Sequence, residues 1–318
     1  MLIITNRNIN KSNFKSGVGD HNAFGDYANA KGPNEVRLAH ADKVEGVWQV
    51  RLVTEPSKIT ENNIPSKKAF AEVRERLTSS GKNCVFFVHG FNQSFYKNLE
   101  KSLALEKEHG VEVVVFSWPS NPGGFKTKEY RSAKRNAQAS VGALDATLEK
   151  LGHYMKEPFN KEALEACDIK FTFMTYSLGN YLFQNYVINA LYEAETRMFD
   201  NVVLCQADVD NAGHQHWVNN IEAGKRVYIT INENDWVLKW SDANFQKDRL
   251  GRTARNLVAS NAFYFDFTGG PNVGKTHGLF YEKTNDVVKS FFTTVLNGGR
   301  GEETDGLVFD SRLNAYRF

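Results

Sequence analysis

The chain has 318 residues, 41% hydrophobic and 24% charged, with 39 Lys and Arg against 37 Asp and Glu. That is the make-up of an ordinary globular protein with room for a sizeable core, and the near-cancelling charge, without a basic stripe, argues against a nucleic-acid partner. No window reaches the apolar length that spans a bilayer, so no integral membrane segment is expected.

The chain opens on MLIITNRNIN, a short apolar run without a basic leader or cleavage site, which reads as a strand rather than a signal peptide. Residues 1–9, 35–40 and 47–53 read as short strands, and the Gly-, Asn- and Asp-rich stretch 17–33 as a surface loop. Residues 1–60 are too poor in apolar side chains for a domain of their own. They are expected to add antiparallel strands to the sheet of the main body.

From about residue 65 the pattern changes. Apolar runs at 84–89, 111–118, 169–175, 202–206, 226–231 and 262–267 alternate with helical patterns at 66–79, 94–108, 128–156, 177–195 and 286–296. Near-continuous apolar runs suit parallel strands covered on both faces. The order predicts an α/β fold over 61–296, with a mainly parallel central sheet and helices on both faces. Residues 297–318 begin as a polar Gly-rich linker, NGGRGEETDG. They end in LVFDSRLNAYRF, whose apolar and aromatic residues suit docking onto the body or a partner. Nothing in the pattern sets an oligomeric state.

Cys84 and Cys205 fall in predicted buried strands and Cys167 just before one. They read as reduced core cysteines, which fits a cytoplasmic protein. There is no C-x-x-C pair, and the H-x-H of His214 and His216 lacks a third ligand at useful spacing, so neither metal nor cofactor is expected.

The richest segment is IKFTFMTYSLG, residues 169–179. A β-run stops at Ser177 and a helical pattern starts at once. This is one residue from the G-x-S-x-G turn that exposes a nucleophilic serine, with Thr175 in the first Gly position. The Leu178 amide at the helix start would face a developing oxyanion. A serine hydroxyl needs a base, usually His, and that His needs an orienting carboxylate. His277, in the loop after the last strand, fills the base slot. Asp235, in INENDWVL directly after a strand, fills the acid slot, with Asp208 and Asp210 in QADVD as rivals. HGFNQSF after strand 84–89 supplies a second oxyanion amide, that of Phe91. His89 itself reads first as a loop-bracing residue, and His89, Gly90 and Tyr176 are candidate substrate-pocket residues. Trp118 and Trp236, at strand ends, are candidate pocket walls.

VFFVHGFNQSF, VVVFSWPS, the S-L-G-N turn, QADVD, NDWVL and THGLF together resemble the α/β-hydrolase superfamily. Within it they are most similar to the uncharacterised bacterial esterase/lipase-like group DUF900. The likeness covers about residues 80 to 295. It implies an α/β-hydrolase fold with Ser177 as nucleophile, Asp235 as acid and His277 as base. Thr175 and Tyr176 depart from the usual small residue and His of that turn. The expectation is a serine hydrolase cleaving a small-molecule carboxylic ester, acyl lipid or thioester. The alternative is a non-catalytic binding protein on the same fold. A third reading comes from GGPNVGKT, residues 269–276, a complete G-x-x-x-x-G-K-T phosphate-loop pattern carrying Lys275. It comes too late in the chain for a later strand to supply a Mg²⁺-holding Asp, so it reads as the flexible loop that carries His277.

Overall fold

Every residue of Cys84–Val88, Phe171–Tyr176 and Asn201–Cys205 is buried, because these strands lie inside one large sheet with material on both faces. The computed structural model describes all residues except 61, 62, 121, 122, 125, 190, 191, 246 and 282–284, and the backbone alone at 244 and 245. From edge to edge the thirteen strands run Val308–Asp310, Ala315–Arg317, Ala262–Asp266, Arg226–Ile231, Asn201–Cys205, Phe171–Tyr176, Cys84–Val88, Glu112–Ser117, Leu2–Thr5, Arg37–Val44, Val47–Leu52, Val18–Gly19 and Phe14–Lys15. Neighbours from Ala315–Arg317 through Leu2–Thr5 are parallel. The pairs outside that span are antiparallel.

Alternate residues of each strand point to opposite faces. Phe86, Phe173 and Leu204 feed one buried cluster, completed by Leu182, Phe183 and Tyr186 of the helix Gly179–Val187. Phe87, Met174 and Cys205 feed the other, beneath Phe291, Phe292 and Val295 of the helix Asp286–Leu296.

Several elements differ from the sequence pattern. The pattern at 128–156 is two helices, Thr127–Ala139 and Val141–Lys156. Ser140 divides them: its hydroxyl bonds back to the Asn136 carbonyl (2.8 Å) and accepts from Asn6 Nδ2 (2.9 Å), which competes with regular helix. The pattern at 177–195 is helical only over Gly179–Val187, and Glu195–Met198 is a 3₁₀ turn; residues 190 and 191 lie outside the described set. Helices Pro158–Ala166 and Trp236–Phe245 have too few residues to show a period in sequence. Residues 1–9 split into Leu2–Thr5 in the main sheet and Arg7–Ile9, which pairs with Phe24–Ala28 in a separate two-stranded sheet. Residues 308–310 and 315–317 form a hairpin that extends the main sheet beside Ala262–Asp266. Gly301 packs against Phe291 and Tyr228, so the Gly-rich stretch is closely fitted to the body rather than a free spacer. Cys167 is exposed at a helix end, not a core cysteine, while Cys84 and Cys205 are buried. No helix of the described residues is long and apolar enough to cross a membrane.

Three buried histidines tie distant segments together as neutral rings. His89 Nδ1 donates to the Gly90 carbonyl (2.9 Å) while Nε2 accepts from the Trp118 amide (3.1 Å). His109 Nε2 donates to the Phe280 carbonyl (2.6 Å), and Nδ1 accepts from the Thr293 hydroxyl (2.9 Å). His214 Nδ1 donates to the Asn211 carbonyl (2.7 Å), and Nε2 accepts from the Tyr264 hydroxyl (2.6 Å). Burial holds all three below the usual imidazole range, most of all His89, where the Arg7 guanidinium adds to it. The unfolded chain therefore takes up protons that the folded chain refuses. Stability is full above an unfolded pKa of about 6.5 and declines as pH falls below it, toward the lower folded values. The urea midpoint is expected to drop between pH 7.5 and pH 5.5, as the unfolding free energy falls by up to about 1 kcal/mol for each of the three rings. A midpoint that is flat across this window would contradict the neutral assignments.

Candidate active site

Along the chain, Cys84–Val88 is followed by Glu112–Ser117 on one side of it and by Phe171–Tyr176 on the other. Where successive connections leave in opposite directions, a crevice opens beyond the carboxyl ends of the strands. A cleft of about 640 Å³ lies there, lined among others by Phe91, Tyr130, Tyr176, Ser177, Trp236 and His277.

Ser177 occupies the turn between Phe171–Tyr176 and the helix Gly179–Val187 in a left-handed conformation, φ +53°. A non-glycine residue there is strained and must be held by its surroundings. Hydrogen bonds to its backbone hold it. The Ser177 amide donates to the Cys205 carbonyl (3.0 Å). The Ser177 carbonyl accepts from the Asp208 amide (3.2 Å) and from Asn180 Nδ2 (3.0 Å). Asn180 Oδ1 in turn accepts the Thr175 hydroxyl (2.6 Å). This explains why Thr is accommodated where a small residue is usual: its hydroxyl is consumed inside the turn, bracing strand to helix. The glycines on either side have no such latitude. A Cβ on Gly179 would sit 2.6 Å from the His89 carbonyl oxygen and 2.7 Å from that of Val88. A Cβ on Gly90 would sit 2.7 Å from Ser177 Cβ.

The structure brings Ser177, His277 and Asp235 into one hydrogen-bonded chain. Ser177 Oγ lies 2.9 Å from His277 Nε2, and His277 Nδ1 lies 2.6 Å from Asp235 Oδ2. With Asp235 ionised, Nδ1 carries the proton and Nε2 accepts from the serine hydroxyl. Asp235 is fully buried. Its Oδ1 caps the helix Trp236–Phe245, accepting from the amides of Val237 (2.9 Å) and Leu238 (3.0 Å). The helix N-terminus favours the negative charge. Its Oδ2 also accepts from Gln206 Nε2 (2.6 Å).

Gln206 is a site residue that sequence reasoning missed. Its Nε2 reaches the Thr276 carbonyl (3.1 Å) as well, and its Oε1 accepts from the Leu279 amide (3.0 Å). One buried side chain thus grips Asp235 and both flanks of the loop that carries His277. The available signal was a polar residue ending an all-apolar strand, just before two aspartates.

The other expected residues divide. Tyr176 and Trp236 line the cleft, and the Tyr176 ring lies 5.0 Å from that of His277. Phe91 lines it too, with its ring on Tyr130. The Leu178 amide, directly past Ser177, has no acceptor among the described residues. Trp118 does not line the cleft. It is fully buried, stacked on His89 at 5.5 Å, with Nε1 donating to the His89 carbonyl (2.8 Å). His89 and Gly90 also sit beneath the cleft rather than on its wall; both are buried, His89 completely. Asp208 and Asp210 are not at His277. Asp208 accepts from Tyr130 Oη (3.0 Å) and Ser241 Oγ (2.8 Å) beside Arg249, and Asp210 pairs with Arg249 and Lys247. His214 is bound within the fold and His216 is exposed. Residues 269–276 form turns, and the next helix starts only at Asp286. The helix N-terminus that a phosphate loop requires is therefore missing from this loop.

The tight packing of the turn predicts opposite outcomes for two glycines. Gly179→Ala should lose about 1–3 kcal/mol of stability, because only backbone stands in its way. Gly152→Ala, inside the helix Val141–Lys156, meets nothing nearer than Met198 Sδ at 3.9 Å. It should be neutral or gain up to about 1 kcal/mol. Urea midpoints of the two variants check both signs.

Residues 66–262 match the family described as an alpha/beta hydrolase of unknown function, DUF900. Ser177 and Asp235 lie inside that span and His277 beyond it. Among solved structures, the crystal structure of Aspergillus fumigatus lipase B aligns at a TM-score of 0.40 and 12% identity, covering 72% of this chain and 56% of that one. The chain thus spans little more than half the length of that lipase. Among curated protein sequences, none matches. With a family match over more than half its length and a mainly parallel sheet of the corresponding kind, the chain belongs to the DUF900 family of α/β hydrolases.

Proposed function

We propose that this protein is a serine hydrolase that cleaves carboxylic esters through an acyl-enzyme on Ser177. The observation that supports this most is the continuous chain Ser177 Oγ–His277 Nε2–His277 Nδ1–Asp235 Oδ2, at 2.9 and 2.6 Å, opening on a cleft. A serine so placed loses its proton to His277 as it attacks the carbonyl carbon. The imidazolium that forms is stabilised by Asp235. The amides of Leu178 and Phe91 receive the oxyanion. His277 then returns the proton to the departing alcohol. Water, deprotonated by the same imidazole, resolves the acyl-enzyme. The aromatic lining of Phe91, Tyr130, Trp236 and Trp240 suits an apolar part of the substrate. Asp235 is the acid in this scheme, and Asp208 and Asp210 belong to the separate Arg249 cluster. The protein uses neither metal nor cofactor in this scheme, and its unpaired cysteines suit a reducing, cytoplasmic setting.

Fluorophosphonate labelling of the native protein, followed by peptide mass mapping, is expected to place one adduct on Ser177. His277→Ala should abolish it. With a chromogenic ester, Asp235→Asn should lower kcat/KM by about 10³–10⁴-fold. Asp208→Asn should lower it by less than about tenfold, since it leaves the imidazole oriented. Folded protein that takes no label would overturn the proposal in favour of a binding protein on the same fold.

A further inference from the structure

Charge around the cleft is lopsided. Lys97, Lys101 and Lys275 line it, and Asp208 is the one carboxylate among its described lining residues. Asp208 is already compensated. It lies 3.3 Å from Arg249 Nε, and the surrounding cluster sets Asp208, Asp210 and Asp242 against Arg249, Lys247 and Arg252. Two of the lysines are not compensated in the same way. Lys97 and Lys275 have no carboxylate partner among the described residues. Lys101 lies over two rings, 4.6 Å from the centroid of Tyr176 and 4.8 Å from that of Tyr281, at the wall next to Ser177. Asp235 beneath His277 subtracts a single charge. Lys97 and Lys275 outnumber it, so the described residues of the cleft keep a positive excess beside its candidate nucleophile.

Two features make this a recognition surface rather than scattered surface charge. Lys97 and Lys101 are four residues apart on the helix Phe95–His109, so they share one face of it. Lys275 comes from a different element, the loop that also carries His277, and converges on the same space. A concave site lined by one sign of charge focuses its field and concentrates ligands of the opposite sign. Lysine ammonium groups serve carboxylate and phosphate alike, as point charges.

We propose that the substrate is an ester that also carries its own negative charge, a carboxylate or a phosphate, held by Lys97, Lys101 and Lys275 while the carbonyl is presented to Ser177. The inference rests on the serine-ester reading for the carbonyl end. It gives a role to the lysine of the Gly-rich loop, which the phosphate-loop pattern marked but whose backbone does not build a phosphate loop.

The test measures binding without turnover. Ser177→Ala protein is titrated with methyl butyrate, monomethyl succinate and the phosphate monoester of 2-hydroxyethyl acetate, following the fluorescence of the cleft tryptophans. At least one anionic ester is expected to bind about tenfold or more tighter than the neutral one, and the tighter of the two names the charged group. The advantage should shrink severalfold between about 50 mM and about 500 mM salt. It should fall to about threefold or less in the triple variant Lys97→Gln/Lys101→Gln/Lys275→Gln. Should that variant not fold, Lys97→Gln and Lys275→Gln singly, both at exposed positions, should each remove part of the advantage. Equal or tighter binding of methyl butyrate, or an anion preference untouched by salt and by the lysines, would overturn the proposal. Failure of Ser177 labelling would count against the hydrolase and leave this binding comparison standing. Labelling without an anion preference would do the reverse.

Discussion

The close approach of two strand ends governs everything at the candidate site. The turn at Ser177 carries a left-handed serine over Gly90 and presses Gly179 against the carbonyls of Val88 and His89. Nothing larger than hydrogen fits at either glycine. The strain of the serine conformation is borne by hydrogen bonds from the neighbouring strand end, at Cys205 and Asp208, and by the Thr175–Asn180 pair. Loosen that packing and Ser177 would relax away from His277.

A second set of constraints positions the imidazole. His277 sits in a loop of turns, which by itself would be the least ordered place for a residue whose location matters within a fraction of an ångström. Gln206 and Asn232 supply the missing rigidity. Gln206 ties Thr276 and Leu279 to Asp235, and Asn232 Nδ2 donates to the carbonyls of Gly274 and Thr276. Both are fully buried at the ends of strands. Asp235 is thus a helix cap, a partner of Gln206 and the orienter of His277 at once. Its turn chemistry and its proposed catalytic role are the same geometry seen from two sides.

Beneath the cleft, Arg7, His89 and Trp118 form a polar brace. Arg7 is fully buried, donates to Ser117 Oγ (3.0 Å) and to the carbonyls of Gln93 (2.8 Å) and Gly25 (3.1 Å), and faces Asp26 at 3.5 Å. Burial brings its pKa down to about 10, with Asp26 opposing the shift, so it stays charged near neutral pH. This residue from the first strands fixes the loop after Cys84–Val88, the same loop that places Phe91 at the cleft. The N-terminal segment is accordingly bound into the support of the site, although none of its residues lines it.

The elements that proved legible in the sequence were those whose residues face one kind of surroundings throughout. Six strands are apolar along nearly their whole length because both faces are covered, and the abrupt halt at Thr175–Ser177 is visible because a buried strand cannot carry polar residues further without partners. Ser177, Asp235 and His277 could be singled out because each follows such a strand. What the chain order alone left open was contact. Asp208, Asp210 and Asp235 all follow strands, and only the folded chain decides which carboxylate reaches the imidazole: Asp235, because Gln206 and the helix cap aim it there, while Arg249 draws the other two away. Trp118 looked like a pocket wall by its place at a strand end, yet it stacks beneath on His89. Local sequence determines which segments can be strands, turns and helices, since propensity and burial period act over neighbouring residues. The site, the break at Ser140 and the meeting of three lysines depend on side chains far apart in sequence, and those distances exist only once the sheet has ordered its strands.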